Sequence, residues 1–229
     1  MEKLVLLRHG QSQWNLENRF TGWVDVPLTE NGVAEAIEAG KKIKESKIIF
    51  EKAYTSYLQR AIRTMWMVLE GSNQMWIPVE KSWKLNERHY GGLQGLNKQE
   101  TKDKYGEDQV FEWRRSYATL PPVAEGPLQE EQESDRRYQE IDKSQFPKGE
   151  ALKNCLERVE PYWNESILPQ VKKGGNVLVA AHGNSLRALV KLLTGMSEEE
   201  ITKFEFPTGV PLVCNLDKQF MIKDKEWLK

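Results

Sequence analysis

The chain has 229 residues, with 33 Lys and Arg against 34 Asp and Glu, and a formal net charge of −1. This balance gives no global basic field and argues against a nucleic-acid or membrane-surface partner. No apolar run approaches the length of a membrane span, and Cys155 and Cys214 lack metal or redox spacing. Because an apolar strand pattern begins by Leu4, we expect no signal peptide and predict a cytoplasmic protein.

The first predicted element is a short buried strand over residues 4–7, and Arg8-His9-Gly10 follows it directly. Every position of this strand is apolar, which favours a strand covered on both faces. A second apolar run, 177–180, precedes Ala181-His182-Gly183 in the same way. Ligands of open α/β sheets bind beyond the carboxyl ends of the strands, so we expect both imidazoles at one functional edge.

A single histidine after a strand is more often a structural residue than a catalytic one. This chain, however, has only three histidines, His9, His89 and His182, and two of them occupy equivalent positions. The repetition favours a functional role for His9 and His182.

Between the two histidine motifs the pattern predicts helices and strands in turn. Thr29 is a plausible N-cap of a helix whose inner face comprises Val33, Ala36, Ile37, Gly40 and Ile43. Residues 52–56 predict a short strand, and 57–70 predict a helix with an inner face of Leu58, Ala61, Ile62, Met65 and Leu69. Trp66 and Trp83 are expected in the core.

The remaining elements are predicted in chain order: two polar helices over 98–118 with a break near Gly106, a long surface excursion over 119–149, a helix over 150–168 with a kink at Pro161, a helix over 186–193, and a closing hairpin of 211–216 and 219–223. The alternation predicts an α/β fold. We interpret 1–229 as a single domain, with a helical cap of about 85–150 inserted over the carboxyl edge of the sheet.

The residues near the two histidine motifs suit a phosphate group. Gly10 permits close backbone approach, and Ser12 and Asn15 offer a hydroxyl and an amide to oxyanions. The helix that follows His182 has free amides at its start, which favour an anion. Further cations come from Arg60, one turn into its helix, and from the cap, namely Lys98, Arg114 and Arg115. Each arginine alone is more often a solvated surface charge.

Glu87 is the remaining candidate for chemistry. It lies in the segment 86–92, which ends in two glycines and contains many hydrogen-bonding groups. A glutamate among polar residues is usually on the surface, but catalytic groups often lie on loops of this kind. We therefore predict Glu87 as a general acid/base.

Seven longer motifs resemble the 2,3-bisphosphoglycerate-dependent phosphoglycerate mutases of the histidine phosphatase superfamily. They are RHGQSQWN (8–15), FTGW (20–23), LNERHYG (85–91), LQGLNK (93–98), WRR (113–115), AHGNSLR (181–187) and PTGVP (207–211). The triplet 8–10 by itself implies only the superfamily, whereas the longer motifs extend over nearly the whole chain.

The resemblance implies a doubly wound, mostly parallel sheet flanked by helices. It implies an isomerase of glycolysis and gluconeogenesis that interconverts 3-phosphoglycerate and 2-phosphoglycerate through a phosphohistidine, primed by 2,3-bisphosphoglycerate and without a metal. Side activity as a bisphosphoglycerate synthase or phosphatase, and assembly into a homodimer or homotetramer, are also implied.

Matched residue by residue, the resemblance makes His9 the phosphorylated nucleophile and Glu87 the general acid/base. It makes His182 the group that stabilises the transferring phosphoryl, a further candidate cation beside Arg8 and Arg60. The implied substrate-binding residues are Arg8, Gln11, Ser12, Gln13, Trp14, Asn15, Thr21, Gly22, Arg60, Glu87, Arg88, His89, Tyr90, Lys98, Arg114, Arg115, Gly183 and Asn184.

The chain departs from the family pattern in three places. Gln11 replaces the usual Glu and removes a negative charge beside the phosphate pocket. Gly92 replaces a common Ala, which predicts a looser loop. Residues 123–149 follow the family poorly, so the cap there is less well specified.

Three other interpretations remain open, the first of which covers two activities. A phosphatase or a bisphosphoglycerate synthase would share His9, His182 and the arginines, although Ser12 and Thr21-Gly22 favour the mutase. A non-catalytic binding protein would have lost a catalytic position, and none is lost here. A metal site on the two histidines would need carboxylate or thiolate ligands at usual spacing, which the sequence lacks.

Overall fold

The computed structural model describes residues 3–228, and its strands form one six-stranded sheet. The strands are β1 (Lys3–Arg8), β2 (Phe50–Thr55), β3 (Val79–Lys81), β4 (Asn176–Ala181), β5 (Pro211–Leu216) and β6 (Ile222–Trp227). Their order is β3-β2-β4-β1-β5-β6. Strands β1 to β4 are parallel, and β5 and β6 pair antiparallel at one edge. The predicted mostly parallel sheet is confirmed.

Ten α-helices connect the strands or cover the sheet. They are α1 (Gln13–Leu16), α2 (Glu30–Glu45), α3 (Gln59–Gly71), α4 (Lys98–Tyr105), α5 (Glu107–Arg115), α6 (Pro127–Ser134), α7 (Leu152–Tyr162), α8 (Leu168–Lys172), α9 (Gly183–Thr194) and α10 (Glu198–Lys203). Between residues 3 and 228, none of the helices has the length and apolar character needed to cross a bilayer.

Sequence signals explain where several helices begin or change. The Thr29 hydroxyl accepts a hydrogen bond from Gly32 N at 3.0 Å, so the predicted cap of α2 is confirmed. Gly106 separates α4 from α5, as predicted. Pro161 lies inside α7, and the helix widens into a π-helical turn over Trp163–Ile167 immediately after it.

The core has two layers because β1 and β4 alternate their side chains between the faces of the sheet. Leu4 and Leu6 pack with α7 and α9 on one face. Val5 and Leu7 pack with α2 and α3 on the other. Helices on both faces give the doubly wound arrangement, and they bury both strands that lead into the histidine motifs.

Some local predictions were wrong. Trp66 is 50% exposed and Ile37 is 42% exposed, because each lies on the outer side of its helix, away from the sheet. Val68, which was not predicted, lies inward in α3. The last strand begins at Ile222 rather than at residue 219, and the three-residue edge strand β3 was not predicted.

The segment 119–149 is more ordered than a surface excursion. It contains α6, and it buries Tyr138, Ile141 and Phe146 in a cluster with Trp23. Gly92 N donates to Pro122 O at 2.7 Å, and a Cβ at Gly92 would lie 3.0 Å from Val123 O. The absence of a side chain at Gly92 therefore lets the segment 119–149 pack closely on the loop 86–92. The predicted loosening of this loop is not seen. The single-domain interpretation remains a prediction.

Candidate active site

His9 and His182 meet at the carboxyl edge of the sheet, with ring centroids 5.0 Å apart. β1 and β4 are neighbours, and Arg8 lies opposite Ala181 in the parallel register. His9 N continues this pairing by donating to Ala181 O at 3.0 Å. Adjacent strands of equal extent therefore bring together two histidines that are 173 positions apart in the sequence.

The surroundings of His9 favour a neutral imidazole that can act as a nucleophile. Its Nδ1 lies 2.7 Å from Gly10 O, which can only accept, so Nδ1 carries the proton and Nε2 is the unprotonated nitrogen. Arg60 Nε donates to that Nε2 at 3.3 Å. Burial, followed by the charges of Arg60 and Arg8, holds the pKa of His9 well below its usual value. At neutral pH the imidazole is therefore uncharged.

Gly10 is required by the backbone that approaches it. A Cβ at this position would lie 2.1 Å from Gly32 O, at the start of α2. The Gly10 amide also donates to the Thr64 hydroxyl of α3 at 3.1 Å. The loop after β1 is thus fixed between two helices, and this fixes the His9 ring.

His182 is buried, and its ring meets the His9 ring edge to face. Its Nε2 forms a hydrogen bond of 2.7 Å with the Ser56 hydroxyl at the end of β2. Burial, and then the charges of Arg60 and His9, lower its pKa well below the usual value. The lowered pKa favours an uncharged His182 ring at neutral pH, and its role in stabilising the transferring phosphoryl remains a prediction. A neutral ring can still donate one hydrogen bond.

Two buried nitrogen atoms near His9 lack a hydrogen-bond partner within residues 3–228: Arg8 Nε and His182 Nδ1. Arg8 is held at its far end, where Nη1 donates to Phe206 O at 2.8 Å. Buried donors are normally satisfied, because an unpaired one costs about 1–3 kcal/mol. The two nitrogens are therefore suited to donate hydrogen bonds to an oxyanion beside His9.

Arg60 is a fixed cation rather than a mobile one. Its Nη1 and Nη2 donate to Val24 O and Gly22 O at 2.9 and 2.8 Å. Burial lowers its pKa to about 10, so the guanidinium remains charged at neutral pH. Gly22 contributes through its carbonyl, which holds Arg60.

Glu87 lines the same cavity and is only 8% exposed. Its Oε1 accepts three hydrogen bonds, from Arg88 N at 2.8 Å, Asn184 N at 3.1 Å and Asn184 Nδ2 at 3.0 Å. The Glu87 carboxyl group thus occupies the start of α9, where a phosphate was expected. Its Oε2 has no hydrogen-bond partner in the described part of the chain, and Oε2 and Arg8 Nε lie 3.8 and 3.6 Å from a Cβ built at Gly183.

The outer part of the cavity is lined by cations from the cap. Lys98 comes from α4, and Arg114 and Arg115 come from the end of α5. Burial, assisted by Arg114, lowers the pKa of Lys98. The cavity therefore holds a second group of positive charges in addition to the group around His9.

Several predicted site residues line the cavity and others do not. Those that line it are Arg8, His9, Asn15, Thr21, Arg60, Glu87, Tyr90, Lys98, Arg114, Arg115, Gly183 and Asn184. Those placed elsewhere are Gln11, Ser12, Gln13, Trp14, Gly22, Arg88, His89 and His182, of which His182 still contacts the His9 ring.

Most residues outside the cavity support the residues that line it. Ser12 forms a capping box with Asn15 at the start of α1. Gln11 Oε1 accepts from the Thr29 hydroxyl at 2.9 Å and so belongs to the cap of α2. Gln13 is exposed and donates to Glu17. Trp14 lies beside Gly95, at 3.6 Å from a Cβ built there.

Arg88 and His89 are buried behind the cavity. The Arg88 guanidinium lies 4.5 Å from the Tyr90 ring centroid, and its Nη2 donates to Arg114 O at 2.8 Å. His89 contacts the ring of Trp23 and forms a hydrogen bond with Gln132 of α6. Direct substrate contact by these two side chains is not consistent with this packing.

Five cavity residues were missed by the sequence analysis: Arg19, Phe20, Arg187, Glu205 and Phe206. Arg187 follows Gly183 by four positions, so helical spacing could have placed it on the same face of α9. Arg115 pairs with Glu205, which lies between α10 and β5. No local signal identifies Glu205, because its position depends on how this connection returns across the cavity.

Within residues 3–228, no group of three or more His, Cys, Asp or Glu side chains is arranged to hold a metal ion. Metal independence of the activity remains a prediction, since a ligand can bring its own metal.

Comparisons with known proteins agree with this geometry. The sequence profile described as the histidine phosphatase superfamily (branch 1) matches residues 4–131 and 123–219. Among solved structures, a mycobacterial glucosyl-3-phosphoglycerate phosphatase in complex with VO3 is 21% identical, with TM-score 0.72 and coverage of 99% of this chain and 96% of that chain.

Two further structures are similar. A putative alpha-ribazole-5'-P phosphatase from Escherichia coli is 22% identical, with TM-score 0.70 and coverage of 96% and 93%. A phosphoglycerate mutase from Bacillus anthracis is 24% identical, with TM-score 0.65 and coverage of 96% of this chain and 89% of that chain. At these identities the likenesses establish the fold.

Proposed function

The chain belongs to branch 1 of the histidine phosphatase superfamily, and on this premise we propose that it is a 2,3-bisphosphoglycerate-dependent phosphoglycerate mutase. Members of the superfamily are phosphatases or phosphotransferases. The observation that supports the mutase best is the pair of cationic groups in one cavity, one around His9 and one on the cap. A three-carbon substrate with a phosphate and a carboxylate needs both.

The first chemical step is attack of His9 Nε2 on phosphorus. The transition state of phosphoryl transfer spreads negative charge over the equatorial oxygens, so catalysis depends on positioning and charge stabilisation. Arg60 supplies fixed positive charge at that place, and Arg8 Nε and His182 Nδ1 are free to donate hydrogen bonds. Because Gly22 O and Val24 O hold the Arg60 guanidinium in place, its charge does not have to reorient during the reaction.

Glu87 is the group that exchanges a proton with the glycerate hydroxyl. Its Oε1 is held by the loop and by α9, whereas Oε2 is available to a ligand in the cavity. When the P–O bond of the donor breaks, the leaving alkoxide needs a proton, and the reverse transfer needs its removal. One carboxyl group suffices for both directions.

The residues present also fit 2,3-bisphosphoglycerate. One of its phosphates would bind at Arg8, His9 and Arg60, and its remaining anionic groups would face the cations Lys98, Arg114 and Arg115. When bound, it supplies the phosphoryl group that primes His9.

A phosphatase acting on a related monoester is the alternative function. The named phosphatases among the similar structures have the same fold, but their substrates do not transfer to this chain at such identities. The cavity has positive charges on the cap as well as beside His9, and this supports retention of the substrate between the two transfers. A homo-oligomer and a cytoplasmic location remain predictions, which light scattering and cell fractionation would test.

Mass spectrometry and a coupled assay test the proposal together. Protein incubated with 2,3-bisphosphoglycerate should carry one phosphoryl group on His9, and it should convert 3-phosphoglycerate into 2-phosphoglycerate. His9→Ala should abolish both results, and Arg63→Ala, an exposed charge on α3, should change neither. Label on another residue would contradict the assignment of the nucleophile. Release of inorganic phosphate without 2-phosphoglycerate would identify a phosphatase.

A further inference from the structure

Behind Glu87 lies a buried ion pair that the phosphoryl-transfer steps do not use. Arg158 of α7 donates through Nε to Glu150 Oε1 at 2.7 Å and through Nη2 to Glu150 Oε2 at 3.0 Å. Both side chains are less than a tenth exposed. Burying two charges is costly and often contributes little to stability, so a pair of this kind calls for another explanation.

The pair is bonded to the backbone on both sides of Glu87. Arg158 Nη1 donates to Lys84 O at 2.6 Å, and Nη2 donates to Glu87 O at 3.0 Å. Glu150 Oε2 accepts from His89 N at 2.7 Å, and Glu150 N donates to His89 O at 2.8 Å. The guanidinium and carboxylate thus fix the main chain before, at and after Glu87.

A third group completes this support. Trp23 Nε1 donates to Glu87 O at 2.6 Å, and the Arg158 guanidinium lies 5.9 Å from the Trp23 ring centroid. The Glu87 carbonyl therefore accepts from two side chains, Trp23 and Arg158. The carboxylate of Glu87 faces the cavity on the opposite side of the same residue.

We propose that Glu150 and Arg158 are positioning residues, which hold Glu87 at the distance and angle that proton exchange requires. This proposal rests on the acid/base role given to Glu87 in the proposed function. Neither Glu150 nor Arg158 lines the cavity beside His9, so both act through the backbone of 84–89. Arg158 and the His89 amide also keep Glu150 charged, because they hold its pKa down against the effect of burial.

The proposal predicts a selective defect. Transfer from 2,3-bisphosphoglycerate to His9 expels an alkoxide and needs the proton of Glu87. Transfer from p-nitrophenyl phosphate expels a phenolate, which is stable without a proton. A displaced Glu87 should slow the first transfer and leave the second nearly unchanged, whereas a general loss of structure should slow both.

The test measures both single-turnover transfers in Glu150→Gln and Arg158→Lys. Each variant should slow transfer from 2,3-bisphosphoglycerate by about 10–100-fold, the cost of misplacing a catalytic group by about 1 Å. Transfer from p-nitrophenyl phosphate should change by less than about 3-fold. Arg158→Lys keeps the charge but cannot make all the contacts of a guanidinium, so it decides the question if Glu150→Gln does not fold.

Two reference variants make the outcomes distinct. Glu80→Gln removes the partly buried Lys52–Glu80 ion pair, which does not touch 84–89, and should affect both transfers equally or not at all. Glu87→Gln should show the full selective loss. If Glu87→Gln shows none, the acid/base role and this proposal both fail. If Glu87→Gln shows it and the two pair variants slow both transfers equally, or neither, only this proposal is overturned.

Discussion

Burial is the main factor that sets the ionisation of the histidines in this site. The imidazoles of His9 and His182 are neutral because both are removed from water and lie near guanidinium groups. A neutral His9 keeps its Nε2 lone pair for attack, and the positive charge of the inner site is left to Arg8 and Arg60. Arg60 is held by two backbone carbonyls, so its charge has little freedom to follow a misplaced ligand.

Glu87→Gln should lower mutase turnover by about 10²–10⁴-fold, because the amide keeps the shape but cannot exchange a proton. Binding of 3-phosphoglycerate should weaken little, since no attraction for an anion is lost. Lys98→Met should behave in the opposite way and lose affinity more than rate. Calorimetric titration and single-turnover kinetics would measure the two effects separately. Turnover of Glu87→Gln near that of the wild type would show that Glu87 has a structural role.

Arg60→Ala is a less suitable comparison for a loss of affinity than Lys98→Met. The deletion would leave Gly22 O and Val24 O without their donors, in addition to removing the charge. Loss of affinity and loss of structure would then be combined. Lys98 separates the two effects better, because its side chain makes no hydrogen bond to the backbone among the described contacts.

The ends of strands and the starts of helices position the catalytic side chains. β1 and β4 are adjacent and end together, which brings His9 to His182. The start of α9 holds Glu87 through Asn184. The segment 119–149 reaches the same place from outside, because Tyr138 and Phe146 pack on Trp23, whose indole donates to Glu87 O.

Phe146→Ala should therefore lower the free energy of unfolding by about 3–5 kcal/mol, the usual cost of emptying a buried aromatic position. The ring is 5% exposed and contacts Trp23, Tyr138 and His89. Urea unfolding followed by tryptophan fluorescence would measure the change. Val123→Ala, which is 61% exposed in the same segment, is the matched control and should have little effect. Equal midpoints for the two variants would show that the segment does not pack as described.

The molecule as a whole buries all three of its histidines, and this links stability to pH. Burial is the main cause of the lowered pKa at His9, His89 and His182. In the unfolded chain the pKa of each histidine would be about 6.5. At pH values between the lowered pKa values and about 6.5, the unfolded chain binds more protons than the folded chain. The contribution of the neutral histidines to the free energy of unfolding is therefore complete above this range, and it is lost as the pH decreases through the range.

Urea unfolding should therefore show a free energy that falls from about pH 7 to about pH 5.5, by at most about 1.4 kcal/mol per pH unit for each histidine. His89 is the one buried histidine outside the catalytic pair. His89→Gln should therefore make the free energy of unfolding fall less steeply as the pH decreases. A free energy of unfolding that stays constant over this range would contradict neutral, buried histidines.

Metal independence is also a property of the whole active molecule. The proposed site balances the phosphate charge with arginine and lysine, so no divalent ion is needed for charge stabilisation. Mutase turnover should survive exhaustive treatment with EDTA, measured with metal-free coupling enzymes or by direct separation of the products. Loss of turnover with EDTA and recovery with Mg²⁺ or Mn²⁺ would overturn this mechanism.

Much of the fold and site follows from short-range features of the sequence. The apolar runs 4–7 and 177–180 specify buried strands, and Thr29, Gly106 and Pro161 mark where helices begin, separate or widen. Strand-end placement predicted that His9 and His182 would lie at one functional edge of the sheet, because parallel strands present their carboxyl ends there. Glu87, Lys98, Arg114 and Arg115 were also assigned to the cavity that they line.

Other features were decided only by tertiary structure. The direction in which a polar side chain points depends on its partners, so Gln11, Arg88 and His89 face helices and loops rather than the cavity. Glu205 and the ion pair of Glu150 with Arg158 act on residues far away in the sequence. Periodicity reports which face of an element is apolar, but contacts between distant segments are set by packing, and that is why the sequence alone did not reveal them.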